Sequence, residues 1–274
     1  MKYINLALLL LMLASIAPTQ TQTTQTNKTS PPAYVVTPLP AYWSGETGIG
    51  SAISNSAVAG QFRNQDNEPR AALFSLDGKS FQDLGILPGG SLSTARAVND
   101  VGQAVRYADS QLSAFRAVLF SYGGAVIEIP SLPDAPAGAS AQTFAAGINN
   151  LGQVVGYGQF GFGTEPDHGF MYHNGQLTDL GANYTPLAIN ASGQSVGQVN
   201  SHAAFFHDDA VEDLGVLGGD NFSVALAIND SGAIVGSTYK CTYTERIPGC
   251  FAKDFSHQTH HFFQVMALFS KMEK

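Results

Sequence analysis

One phrase recurs along this chain, and it limits the possible folds more than any other feature. It reads Ala-Ile-Asn-Asp-Ser-Gly-Ala-Ile-Val-Gly at 227–236. Close copies stand at 188–197 and 147–156, a weaker one at 97–105 and the weakest at 52–60. Their Ile/Val positions are 53, 98, 148, 189 and 228, so the separations are 45, 50, 41 and 39 residues. Five copies at this period belong to a propeller or another repeat array. Such a unit cannot bury its apolar face alone and needs a neighbour.

A second phrase alternates with the first: an aromatic residue, a turn, a short apolar run, then an acid and usually Leu-Gly. Its copies are Phe74–Gly85, Phe120–Pro130, Tyr172–Gly181 and Phe206–Gly215. Each unit therefore parses as four short strands. Strand one ends at Ile-Asn, and an Asn-Asp-x-Gly turn leads into strand two. A variable loop precedes strand three, and Asp77-Gly78 or Asn174-Gly175 turns into strand four. Asn-Gly and Asp-Gly are strong hairpin signals because both turn residues take positive φ. Four antiparallel strands per unit is the pattern of a propeller blade. The residue before each Ile/Val is Ala52, Ala97, Gly147, Ala188 or Ala227, as a crowded axial strand requires. The expected fold is all-β: a five-bladed β-propeller of four-stranded blades. In unit five, strands one to three are expected at Ala225–Asn229, Ala233–Ser237 and Cys250–Ala252, with no fourth. Residues 34–40 resemble an orphan strand four, which would complete the last blade and close the ring, removing sheet edges.

Composition fits this reading. Of 274 residues 29 are Gly, and only 12% are charged. The net charge is -8, and the 13 basic residues form no cluster. Nucleic-acid binding, which needs a basic stripe, is excluded as an expectation, as is a polybasic membrane patch. Residues 1–17 read as a signal peptide, a short basic start followed by an uncharged run from Leu6 to Ile16. No transmembrane span is expected after its cleavage, since spanning takes about 20 apolar residues. Residues 18–33 are a Thr/Gln/Pro linker. The repeat domain then covers 34–252, and 253–274 leaves the pattern as a divergent tail.

Candidate chemistry is sparse. The Asn-Asp series (Asn99-Asp100, Asn149-Asn150, Asn229-Asp230) could hold calcium, but Asn and Asp make good turns by bonding their own backbone. Asp83, Glu128, Asp179 and Asp213 recur once per unit and read as outer-strand residues facing water. His257, His260 and His261 lack a fourth zinc ligand. His168 and His202 hold equivalent strand-three starts and read as repeat features. No nucleophile elbow or phosphate loop is present. No catalytic, cofactor or metal residue is assigned. Cys241 and Cys250 flank the expected strand two–three loop of unit five, which suggests a disulfide in an exported chain.

The repeated Ile-Asn-x-x-Gly-Gln-Val-Val-Gly phrase, the strand starts His168-Gly169-Phe170 and His202-Ala203-Ala204-Phe205, and the runs Asp83–Gly90 and Asp213–Gly219 resemble the bacterial extracellular HAF-repeat family. The resemblance covers about 34–252. Arg106, where other units have Gly, and the tail from 253 depart from it. It implies an exported, propeller-like repeat protein and brings no catalytic residues. The expected role is a secreted or periplasmic, monomeric binding or adhesion module for a surface glycan or an exported protein. Phe160, Phe162 and Tyr243 in the variable loops are the expected contacts, because loops on rigid scaffolds carry function. A glycan-active hydrolase and a structural or degraded envelope component are the alternatives.

Overall fold

The computed structural model describes residues 36–40, 48–111, 115–121, 123–132, 142–159, 167–240 and 265–269. The chain divides into Met1–Val36 and Thr37–Lys274, and the sheets belong to the second unit.

The described residues are all-β. The first sheet holds β1 (Ile49–Ile53), β2 (Val58–Arg63), β3 (Pro69–Phe74) and β4 (Phe81–Asp83). The second holds β5 (Ser93–Val98), β6 (Ala104–Asp109), β7 (Phe115–Phe120) and β8 (Val126–Glu128). The third holds β9 (Gln142–Ile148), β10 (Val154–Gln159), β11 (His168–His173) and β12 (Gln176–Ala182). The fourth holds β13 (Tyr184–Ile189), β14 (Ser195–Val199), β15 (His202–His207) and β16 (Ala210–Gly215). The fifth holds β17 (Phe222–Ile228), β18 (Ile234–Tyr239) and β19 (Val265–Phe269). Every pairing is antiparallel, and strands follow one another in chain order within each sheet.

Period-two alternation sends neighbouring residues of a strand to opposite sheet faces, and here both faces are covered. Val105, Ala117 and Leu119 of the second sheet pack on Ala145, Ile148, Val154, Phe170 and Tyr172 of the third. The adjacent Ala104 and Val118 instead pack with Ala59, Ala71 and Leu73 of the first. Likewise Val154 faces the second sheet, while Val155 joins Tyr184 and Ala204 of the fourth. Val196, Ala203 and Phe205 meet Ala225 and Ile234 of the fifth. Double-sided burial explains the apolar runs and the shortage of charge. Each fully buried Val or Phe contributes about 1.5–3 kcal/mol, and the fully buried alanines let sheets approach closely.

Two expectations need correction. The third strand of the fifth sheet is β19, not Cys250–Ala252. It pairs Gly236 with Ala267, Val235 with Leu268 and Ile234 with Phe269. This is the register of β2 on β3, where Gly60, Ala59 and Val58 face Ala72, Leu73 and Phe74. Ala267-Leu268-Phe269 copies Ala72-Leu73-Phe74, and an apolar triplet in that register can continue the sheet. The repeat therefore runs past 252, and part of the expected tail belongs to the fold. The second correction concerns the N-terminal strand. Residues 36–40 form no strand, and Leu39 packs against the cluster of Phe62, Ala72 and Phe74 in the first sheet, with its carbonyl accepting from the Gly48 amide at 3.3 Å. Residues 34–35 lie outside the described residues. Among the described residues no strand pairing joins the fifth sheet to the first.

Candidate functional site

Each first strand carries a β-bulge just before its small residue, at Ser51, Arg96, Ala146, Leu187 and Leu226. The bulge drives a backbone carbonyl toward strand two. A Cβ on Gly60, Gly156, Gly197 or Gly236 would run into the carbonyl oxygen of Ile49, Phe144, Thr185 or Val224. That close approach is why the phrase ends in Gly. The second sheet breaks the rule with Arg106, which pairs with Ala95 beside the bulged Arg96. Thr94, in the position of those carbonyl-bearing residues, has a buried hydroxyl with no partner.

The Asn-x-x-Gly turns do more than reverse the chain. Asn149 Oδ1 accepts from the Leu151 and Gln153 amides at 3.1 and 3.0 Å, closing its own turn. Its Nδ2 donates to Gln153 Oε1 at 2.7 Å and to the Asn190 carbonyl of the next unit at 2.9 Å. Asn99 donates to the Asn149 carbonyl at 3.1 Å, and Asn190 to that of Asn229 at 3.2 Å. The series forms an asparagine ladder between units. Gly102, Gly152, Gly193 and Gly232 close these turns at φ near 80°, where a non-glycine residue is strained. A second tier lies beside the ladder: Asp100 accepts from the Asn55 amide at 2.9 Å, from Asn55 Nδ2 at 3.0 Å and from Asn150 Nδ2 at 2.9 Å. Those bonds, the Asn55 amide first, hold the Asp100 carboxyl below the usual carboxylate range. An open groove beside it is lined by Ser56, Phe74, Phe81, Asp100 and Gly102. Turn closure and the ladder account for the Asn side chains, and no group of three or more His, Cys, Asp or Glu side chains placed to hold a metal ion occurs among the described residues.

The recurring acids are exposed, as the sequence suggests, but each meets a basic side chain, Arg or His, at the start of strand three. Asp83 lies 3.1 Å from Arg70, Glu128 3.6 Å from Arg116, Asp179 3.0 Å from His168 and Asp213 2.9 Å from His202. Asp83, Asp179 and Asp213 also accept from the amides of Gly85, Gly181 and Gly215. The sequence signal for this pairing is an Arg or His 11–13 residues before the acid.

A further latch joins units. Ser93, Thr143 and Ser223, each four residues before the small residue of strand one, accept from the amides of Ala71, Ala117 and Ala203 in the preceding sheet at 3.0, 2.8 and 2.7 Å. Between the third and fourth sheets the same position holds Tyr184, a fully buried ring. Its hydroxyl meets Ser195 at 2.9 Å, and burial pushes the phenol well above its ordinary range. Gly169 replaces the alanine opposite, because a Cβ there would crowd Tyr184.

The remaining concentration of side chains lies at the end carrying the strand two–three loops. Tyr107 contacts Phe115 at 4.8 Å and Phe144 at 5.4 Å, and Phe144 contacts Tyr157 at 5.4 Å (centroid distances). All four rings are half-buried and bridge the second and third sheets. Arg106 lies 5.2 Å over the Tyr107 ring. Burial and the Arg106 charge hold the Arg96 guanidinium below its usual range. The loop contacts expected from sequence (Phe160, Phe162 and Tyr243) lie outside the described residues, as do Cys241, Cys250 and His257, His260 and His261. Since β19 is the third strand, Cys250 does not open it, and both cysteines fall within the 240–264 connection. No helix among the described residues is long and apolar enough to cross a membrane.

Compared with known proteins, the chain matches no family model and no curated sequence.

Proposed function

We propose that this chain is an exported binding module of the HAF-repeat kind, its five sheets being the blades of a β-propeller, and that it takes a surface glycan on its strand two–three loop end. One observation carries the reading: the file of half-buried rings Tyr107, Phe115, Phe144 and Tyr157 across adjacent sheets at that end. Rigid aromatic faces give large contact area at little entropic cost, and sugar rings present apolar C–H faces to them. Strand ends hold these rings while the neighbouring loops vary, the usual division between scaffold and recognition. In an oxidising compartment Cys241 and Cys250 would close a disulfide within the long fifth-unit connection.

The test is a pull-down of envelope glycans with the full chain, followed by titration of whatever is retained. Tyr107→Ala and Phe115→Ala are each expected to weaken binding at least tenfold while the chain stays folded, with the unfolding midpoint lowered by only a few degrees because the rings are half-buried. No retained glycan, or retention indifferent to both substitutions, would overturn the reading.

A further inference from the structure

The second unit departs from the repeat at two adjacent places, and both departures are arginines. Arg96 stands on the bulge where the other units have Ser51, Ala146, Leu187 and Leu226. Arg106 stands opposite, where the others have Gly60, Gly156, Gly197 and Gly236. In a chain of net charge -8 with only 13 basic residues, this pairs two cations across one bulge. Arg70 and Arg116 each have a carboxylate partner. Arg96 and Arg106 have none within ion-pair distance among the described residues.

Two like charges on facing positions of one bulge repel one another, and the half-burial of Arg106 adds to the penalty, while the exposed Arg96 keeps the pair open to a ligand. An oxyanion between them would remove both terms, and guanidinium forks fit carboxylate or sulfate oxygens bidentately. The neighbouring surface says what carries the anion. Arg106 stacks on Tyr107, which leads into Phe144 and Tyr157. The Tyr157 phenol, raised chiefly by burial, feels the charges of Arg106 and Arg96 and, with opposite sign, that of Asp167. Asp167, immediately before β11, is an acidic group whose charge reaches Tyr157. The Thr94 hydroxyl, two residues from Arg96, is buried and unpartnered.

We infer that Arg96 and Arg106 form the anion-binding half of a site whose other half is the Tyr107–Phe144–Tyr157 file, and that its ligand is an acidic sugar: a glycan bearing carboxylate or sulfate groups. This rests on the glycan-binding reading above and specifies the ligand's charge.

The test is calorimetric titration of the full chain with three probes: an oligogalacturonate, its fully methyl-esterified form and a sulfated oligosaccharide of similar length. The acidic probes are expected to bind at least tenfold more tightly than the ester, with affinity falling as salt rises. Whichever acidic probe binds more tightly identifies the oxyanion. Arg96→Leu combined with Arg106→Gly restores the residues of the fifth unit, so the fold has a precedent for it. That variant is expected to lose the preference for the acidic probes. A second variant, Arg96→Lys with Arg106→Lys, keeps the charge without the fork and is expected to retain binding at reduced affinity. Equal binding of acid and ester, unchanged in the Leu/Gly variant, would overturn the inference while leaving the glycan reading intact. Failure of every probe, with glycans still retained from envelope extract, would likewise overturn the acidic ligand alone. Failure of both would overturn the two readings together.

Discussion

The second unit and its four siblings share the same bulge but treat it differently. In the siblings a glycine lets the strand-one carbonyl press against strand two, and the sheet is tight. In the second unit an arginine stands there, the register is kept, and a threonine hydroxyl is left buried without a partner. Four units show what the fold prefers. The fifth case shows a position where that preference is overruled, and such positions are where function is expected. Repeats supply their own controls: each copy is the reference for the others.

The sharpest way to break this comparison is to move the exception. Gly236→Arg places in the last unit what the second unit tolerates. Overpacking against the Val224 carbonyl should destabilise by about 3 kcal/mol, a fall of several degrees in the unfolding midpoint. A neutral result would mean that the bulge yields everywhere and that Arg106 is unremarkable. The ladder comes next. Asn149→Ala removes a turn closure and an inter-unit bond in a buried setting and should cost about 2–3 kcal/mol by urea unfolding. Asn229→Ala, at the exposed end of the ladder, should cost about 1 kcal/mol. Equal losses would show that the inter-unit bond contributes nothing beyond the turn. Smaller again is the latch: Ser223→Ala strands the Ala203 amide and should cost about 1–2 kcal/mol. The smallest effect is on pH dependence. The folded Asp100 pKa lies below the unfolded value near 3.8. Its contribution is therefore present above that value and lost as pH falls through the folded one. Asp100→Asn should flatten the stability profile in that acidic window, as read by thermal melts, and leave it unchanged near neutrality.

Most of the architecture was legible in the sequence because turn chemistry is local. Asn-x-x-Gly and Asn-Gly impose positive φ wherever they occur, and the strands between them follow. The strand order, the four strands of sheets one to four and the turn-closing role of the Asn series could all be read. The ladder between units could not, because it joins residues 39–50 positions apart and uses the same side chain twice: Asn190 both closes its own turn and reaches Asn229. Strand β19 was missed for a different reason. Its connection is long, and a nearer apolar triplet, Cys250-Phe251-Ala252, sat where the other units place strand three. The match between Ala267-Leu268-Phe269 and Ala72-Leu73-Phe74 was the available signal. The ligand-contact loops were named from sequence variability, whereas the aromatic file emerged only when β6, β7, β9 and β10 were brought together. Arg106 was visible as a departure, but its neighbour Arg96 gained meaning only from the bulge that sets them side by side.

The central claim is that these two arginines are surplus to the fold. The unfolding midpoint of the Arg96→Leu, Arg106→Gly chain, measured beside the unaltered protein, tests it directly. Removing like-charge repulsion and restoring the sibling residues should leave the midpoint within about 3 °C, or raise it. A fall of more than about 5 °C, equivalent to about 2 kcal/mol or more at this size, would show that the arginines hold the second unit together, and would contradict the claim.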